Sequence, residues 1–428
     1  MRVKVLLTAI ALFLLARIPL PGSNTALAQP QSEVLAVRNA RIYPITGPVI
    51  PSGTIVVTDG KITAVGAGVP VPAGARVIDA GGRTLMPGLV ESHSHMGMKR
   101  LWVPADLDNN ELSGPFNAQL RGLDSIDTTD RAFYIALAAG VTTTSVTPGS
   151  QTPNGGQAVV LKLRGGTVDH MFLAPGAMKF ALRTTFRERR MYPTTHMGVA
   201  SILRENLIAA QEYQKAWERY NAGDRSGAPP ARNLKLEALG KVLTREMPVS
   251  AHAQSTLEIL NILRVAKEFN LDLVIHHGTE LIDVVDEVAK AGVPVSFGPV
   301  LPGMGYESRL LDGPVRLAQA GGKVAFHQDH PDGPEYYLRH IAALEVRHGM
   351  PEAEALKALT INGASLLRLD KRIGSLEVGK DADFIILSGS PLEFDSLVDL
   401  VFVEGRQVYD RATHACVFPT PAGVVSQQ

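Results

Sequence analysis

The sequence predicts an α/β fold: a (β/α)8 TIM barrel with a small β-sandwich domain built from both chain ends. Three observations predict it. Apolar strand-like runs recur eight times between residues 85 and 368, most of them separated by amphipathic helical patterns. β-Rich segments of one texture stand at both ends of the chain. The 428 residues are 45% hydrophobic and 20% charged, which suffices for a barrel-sized core plus a smaller domain.

The N-terminus is read first as a targeting segment. Arg2 and Lys4 precede the apolar run Val5–Ala16, and Ala26-Leu27-Ala28 follows a short polar stretch. This is the layout of a secretory signal peptide, so residues 1–28 are expected to be removed on export to the periplasm or outside the cell. A membrane anchor needs about 18 uninterrupted apolar residues, and Arg17 breaks the run. No stable membrane insertion is expected after cleavage. Cys416 is the only cysteine, so no internal disulfide can form and the thiol is read as inert. Lys+Arg and Asp+Glu both number 42, so no basic field points to nucleic acid. The expected partner is a small-molecule substrate, with a homo-oligomer left open.

The first part of the β domain spans 29–84. EVLAVRNARIYPI, GTIVVTDGKITAV and ARVIDAGGRTLMPG read as strands, with Asp59-Gly60 as a hairpin turn. The second part, 369–428, carries DADFIILSG and LVDLVFVEGRQVYD. The barrel spans 85–368. Its strand candidates are LMPGLVESH, VTTTSVTP, QAVVLKL, GAMKFAL, PVSAHA, LDLVIHHG, VPVSFGP and KVAFHQD. Helical patterns include DRAFYIALAAG, STLEILNILRVAKEF, IDVVDEVAKAG and SRLLDGPVRLAQAG, several closing on Gly. The longest insertion, about 183–247, is helical over VASILRENLIAAQEYQKAWERY and loop-like over NAGDRSGAPPARN.

Ligand-type residues fall at predicted strand ends, where a barrel carries its chemistry. The first strand ends in His93-x-His95, and residues two apart on a strand face the same way. The fourth carries Lys179, the fifth ends at His252, the sixth at His276-His277, and the eighth at Asp329. Imidazole and carboxylate groups converging on one end suit Zn2+, with manganese, iron or cobalt as alternatives. Of the adjacent pair His276-His277, alternation lets only one face inward, the other lying in the layer between barrel and helices. His327 shares a face with Asp329, one layer deeper, and is read as packing or support.

GLVESHSHMG, the strand-end histidines and the late Asp329 resemble the amidohydrolase superfamily of metal-dependent hydrolases. The closer likeness is to its imidazolonepropionase-like and prolidase-like branch. It is carried by TTTSVTPGSQTPNGGQAVVLKLRG, GAMKFAL, PTTHMGVASILRE, IHHGTEL and LTINGASLLRLDKRIGSLEVGKDAD, with VFVEGRQVY near the end. The resemblance implies that His93, His95 and Asp329 bind a more buried metal. It implies that His252 and His277 bind a second, with Lys179 bridging as a CO2-derived carbamate (carboxylysine). In a one-metal site, Lys179 and His277 would contact substrate or solvent. The family's histidine precedes Gly-Thr-Glu, as His277 does here, which favours it over His276 and assigns His276 to the layer between barrel and helices.

The implied activity is metal-dependent hydrolysis of a C–N bond, other than typical endopeptidase cleavage. Asp329 is the general acid–base, and His277 or a metal polarises the carbonyl. Dipeptides and N-acyl amino acids are the expected substrates. A cyclic amidohydrolase of imidazolonepropionase type or a deaminase is the alternative, and a ligand-binding or scaffold protein on the same barrel is the non-enzymatic one. The chain departs from the branch after the fourth strand. Arg183-Thr184-Thr185-Phe186-Arg187 replaces a Gly-Glu-Asn-Pro-Lys-like segment, and His196 replaces an Arg. Arg183 and His196 are therefore candidate substrate-binding residues, with a surface ion pair as the other reading of Arg183.

Overall fold

All eight predicted barrel runs form strands, and they assemble in chain order into one sheet. The computed structural model describes residues 34–100, 108–183, 192–224, 226–300 and 308–418. The expected signal peptide lies outside them, as do Thr184–Arg187. Among the described residues no helix is long and apolar enough to cross a membrane.

Five strands precede the barrel: β1 (Val34–Ile42), β2 (Ile50–Thr58), β3 (Lys61–Gly66), β4 (Arg76–Asp79) and β5 (Thr84–Pro87). The barrel strands are β6 (Leu89–Ser94), β7 (Val141–Val146), β8 (Asn154–Lys162), β9 (Phe172–Ala181), β10 (Val249–Ala253), β11 (Leu273–His277), β12 (Val295–Phe297) and β13 (Val324–Phe326). The C-terminal strands are β14 (Phe384–Leu387), β15 (Val398–Val403), β16 (Arg406–Asp410) and β17 (Ala415–Cys416).

Eightfold strand–helix alternation is corrected at the third strand. β8 pairs antiparallel with both β7 and β9, whereas the other neighbours are parallel. A seven-residue loop joins β7 to β8, and only the four-residue helix Val168–Met171 lies between β8 and β9. An antiparallel pair needs no crossover helix, so none is present there. Helices fill the parallel crossovers. α1 (Arg131–Ala138) precedes β7; counting Val168–Met171 as α2, α3 (His196–Asn221) and α4 (Leu234–Leu243) precede β10. α5 (Thr256–Phe269), α6 (Val285–Ala291) and α7 (Ser308–Gln319) follow in turn. α8 (Leu338–Arg347), α9 (Glu352–Ala358) and α10 (Ile361–Leu366) close the series. α5 starts where the sequence says it should: Ser255 and Glu258 form a capping box, and Asn270 ends the helix in a left-handed conformation.

Both chain ends pair, as expected, through β5 and β14. They form a single nine-stranded sheet, ordered β17-β16-β15-β14-β5-β1-β2-β3 with β4 beside β1. The ladders run through one sheet, so the sandwich expectation is met only to this extent. β14 shows how the sheet serves two cores. Phe384 and Ile386 enter the sheet's own apolar cluster, while Ile385 and Leu387 enter the barrel's. Each such buried side chain contributes about 1.5–3 kcal/mol. The run LMPGLVESH is divided at Gly88: β5 belongs to the end sheet and β6 to the barrel. A Cβ at Gly88 would lie 2.2 Å from Thr142 Oγ1, so the chain crosses between the sheets where no side chain fits.

Candidate metal centre

β6 delivers His93, the residue just beyond it is His95, and the turn after β13 delivers Asp329. Their ligand atoms lie within 4.8 Å of one another. Asp329 Oδ1 is 3.0 Å from His93 Nε2 and 3.2 Å from His95 Nε2. The far nitrogens are held from behind. His95 Nδ1 is 2.6 Å from the Thr147 carbonyl, which requires a proton on Nδ1 and leaves Nε2 with its lone pair. His93 Nδ1 is 3.1 Å from Thr147 Oγ1 and 2.8 Å from His276 Nδ1. A proton donated there leaves Nε2 free in the same way.

His252 and His277 arrive from β10 and β11 with ring centroids 4.0 Å apart, and His277 stands 5.2 Å from His93. His277 Nδ1 donates to the Gly298 carbonyl at 2.9 Å, freeing Nε2. Gly298 must be glycine, because a Cβ there would lie 1.9 Å from the His327 carbonyl oxygen. Lys179 is fully buried on β9.

Six atoms of this group are buried without a hydrogen-bond partner: His93 Nε2, both ring nitrogens of His252, His277 Nε2, Lys179 Nζ and Asp329 Oδ1. An unsatisfied buried polar atom costs about 1–3 kcal/mol, so six together need an occupant. The donor set of neutral imidazoles and an ionised carboxylate fits a divalent metal. Burial holds His93 and His252 well below the usual imidazole range and His277 at about 4, so all three are neutral at pH 7. Burial would raise Asp329, but the facing His93 and His95 outweigh it and keep the carboxyl well below its usual range. Burial pushes Lys179 down to about 7, against the pull of Asp329.

The assignment of His276 to the outer layer is corrected. Its ring stands 4.5 Å from that of His93. It is in register with His252 on the parallel neighbour, so the two share a face. His277 escapes the alternation rule through its backbone: φ is +76°, outside the extended region, so both imidazoles reach the inside. His327 lies deeper, as expected, with Nδ1 2.8 Å from Ser296 Oγ and its ring 4.9 Å from that of His277.

The two substrate-side candidates sit at the rim. Arg183 is exposed, two residues beyond β9, and its charge bears on His252. His196 is partly buried at the start of α3, with Nδ1 3.2 Å from the Leu182 carbonyl, which turns the ring back towards the backbone. Sequence reasoning did not single out Thr147 or Glu91. Thr147 lies near the end of the predicted strand run VTTTSVTP, and that position was the available signal. Glu91 stands inside GLVESHSHMG itself, two residues before His93.

Comparison with known proteins agrees with this geometry. A family model described as "Amidohydrolase family" matches residues 245–409. The imidazolonepropionase of Symbiobacterium thermophilum is 26% identical over 392 residues, covering 79% of this chain and 84% of that protein. The amidohydrolase tasK of Hapsidospora irregularis is 25% identical over 397 residues; the match covers 84% of this chain but only 40% of tasK. The crystal structure of an amidohydrolase from Thermotoga maritima MSB8 is 33% identical, with a TM-score of 0.83, over 88% of this chain and 100% of that one. An identity of that size, sustained along nearly all of both chains, places this protein in the amidohydrolase superfamily, as a hydrolase of carbon–nitrogen bonds.

Proposed function

We propose that the chain hydrolyses the amide or peptide bond of a small, carboxylate-bearing substrate, such as a dipeptide or an N-acyl amino acid, after export to the periplasm or beyond. The observation that carries this reading is the convergence of unpartnered ligand atoms from β6, β9, β10, β11 and the turn after β13. His93, His95 and Asp329 would hold one divalent metal, Zn2+ in the first instance, and His252 and His277 a second. A metal there supplies Lewis acidity that lowers the pKa of water and polarises a carbonyl.

The side chains do the rest. Asp329 takes a proton from the attacking water as oxygen bonds to the carbonyl carbon. It returns that proton to the nitrogen as the C–N bond breaks. His277, neutral and with its Nδ1–H given to the Gly298 carbonyl, keeps the lone pair on Nε2 and so would hold a metal that polarises the carbonyl. Lys179 is a free amine in a large fraction of molecules at pH 7. Such an amine would add to CO2 with loss of one proton, giving a carbamate whose oxygens would serve as metal ligands. At the rim, Arg183 offers a guanidinium to the substrate carboxylate in bidentate fashion, with His196 beside it.

A second reading, a cyclic amidohydrolase, is favoured by the imidazolonepropionase relative. One experiment separates the two. Purified protein is analysed for metal, supplied with Zn2+, and assayed on dipeptides, N-acyl amino acids, cyclic amides and aminopurines. Turnover of the first two classes, lowered by Arg183→Ala chiefly through KM, is the expected result. Turnover of cyclic amides alone would favour the second reading, and of aminopurines alone a deaminase. Protein that holds no divalent metal, and that none activates, would sink the mechanism.

A further inference from the structure

The barrel sheet is open at one seam. β13 and β6 end the eight-stranded order and no ladder joins them, although they are neighbours. The metal centre straddles that seam, with His93 and His95 on one bank and Asp329 on the other. Glu91 bridges it. Its Oε1 accepts the His93 N–H and its Oε2 the Gln328 N–H, each at 3.1 Å. One carboxylate thus holds the backbone of a ligand and of the residue before another ligand.

Glu335 backs it from the 3-10 helix Glu335–Tyr337, which follows the turn bearing Asp329. Both glutamates are fully buried. A backbone bond also crosses the seam: the His95 N–H donates to the His330 carbonyl at 2.8 Å, which returns the Asp329 turn to β6 a second time.

We propose that Glu91 is a positioning residue of the metal centre: it spans the seam where no ladder forms and sets His93 against Asp329. The proposal rests on the reading of His93 and Asp329 as metal ligands. A glutamine at 91 has one acceptor oxygen and cannot take both N–H groups.

The test uses Co2+ as probe on the metal-free full chain, reading affinity by chelator competition and ligand geometry by visible d–d absorption. Glu91→Gln is expected to weaken Co2+ binding about 10- to 100-fold and to change the bands. Glu91→Ala, which has no side-chain acceptor at all, should lose at least as much. The melting temperature of each metal-free variant controls for folding. Variants that bind Co2+ with wild-type affinity and bands would overturn this proposal alone. So would losses in Glu91→Gln and Glu91→Ala that only follow a lowered melting temperature. Wild-type protein that takes up no Co2+ would overturn the metal reading, and this proposal with it.

Discussion

Asp329 and His277 both hold left-handed backbone conformations, with φ +56° and +76°. For a residue other than glycine this costs roughly 1–2 kcal/mol, so the surroundings must hold both in place. Asparagine adopts that region more readily than most residues and matches aspartate in shape. Asp329→Asn should therefore keep the fold and its melting temperature within a few degrees. It should cut kcat by about 10²–10⁴, because the proton acceptor is gone. An active variant would reject the proton-transfer role. The same φ at His277 explains why His276 was placed wrongly from sequence. Alternation holds for a regular strand, and nothing in Ile275-His276-His277-Gly278 announces the turn. His93, His95, His252, His277, Lys179 and Asp329 were legible because their chemistry recurs at strand ends. Glu91 was not, because a carboxylate that binds backbone looks in sequence like any other.

At the scale of elements, strands were legible and their direction was not. The apolar run of β8 reads alike both ways, and only its pairing reverses it. α4 was missed inside the long insertion, although Asn233 caps it through the Lys235 and Leu236 N–H groups. The junction of β12 with β13 depends on a single small residue. Gly298 lies at φ +143°, and any Cβ there meets the His327 carbonyl. Backbone on backbone leaves nothing flexible to yield. Gly298→Ala is expected to cost about 3 kcal/mol or more, seen as a lowered urea midpoint. An unchanged midpoint would show that the two segments can part without penalty.

For the whole molecule, what binds the barrel to the end sheet is charge as well as apolar surface. Lys162, fully buried at the end of β8, pairs with Asp381, Asp383 at 3.1 Å and Glu404 at 3.2 Å. Arg372 and Lys61 also reach Asp381, which these cations hold at about 2 despite burial. Asp383 has no cation other than Lys162 among the described ion pairs, and burial raises its pKa. Lys162→Met should therefore destabilise the chain by about 3–5 kcal/mol in denaturant unfolding. Adding Asp383→Asn should recover part of that loss, and no recovery would show that Asp383 is indifferent to the pair. The reversed strand has one more consequence, for anyone aligning relatives by barrel position. On the parallel strands the chemistry lies towards the C-terminal end; on β8 it lies towards the N-terminal end. Asn154, whose side chain donates to the Lys179 carbonyl at 3.2 Å, is the position to compare there, and Lys162 belongs to the opposite pole.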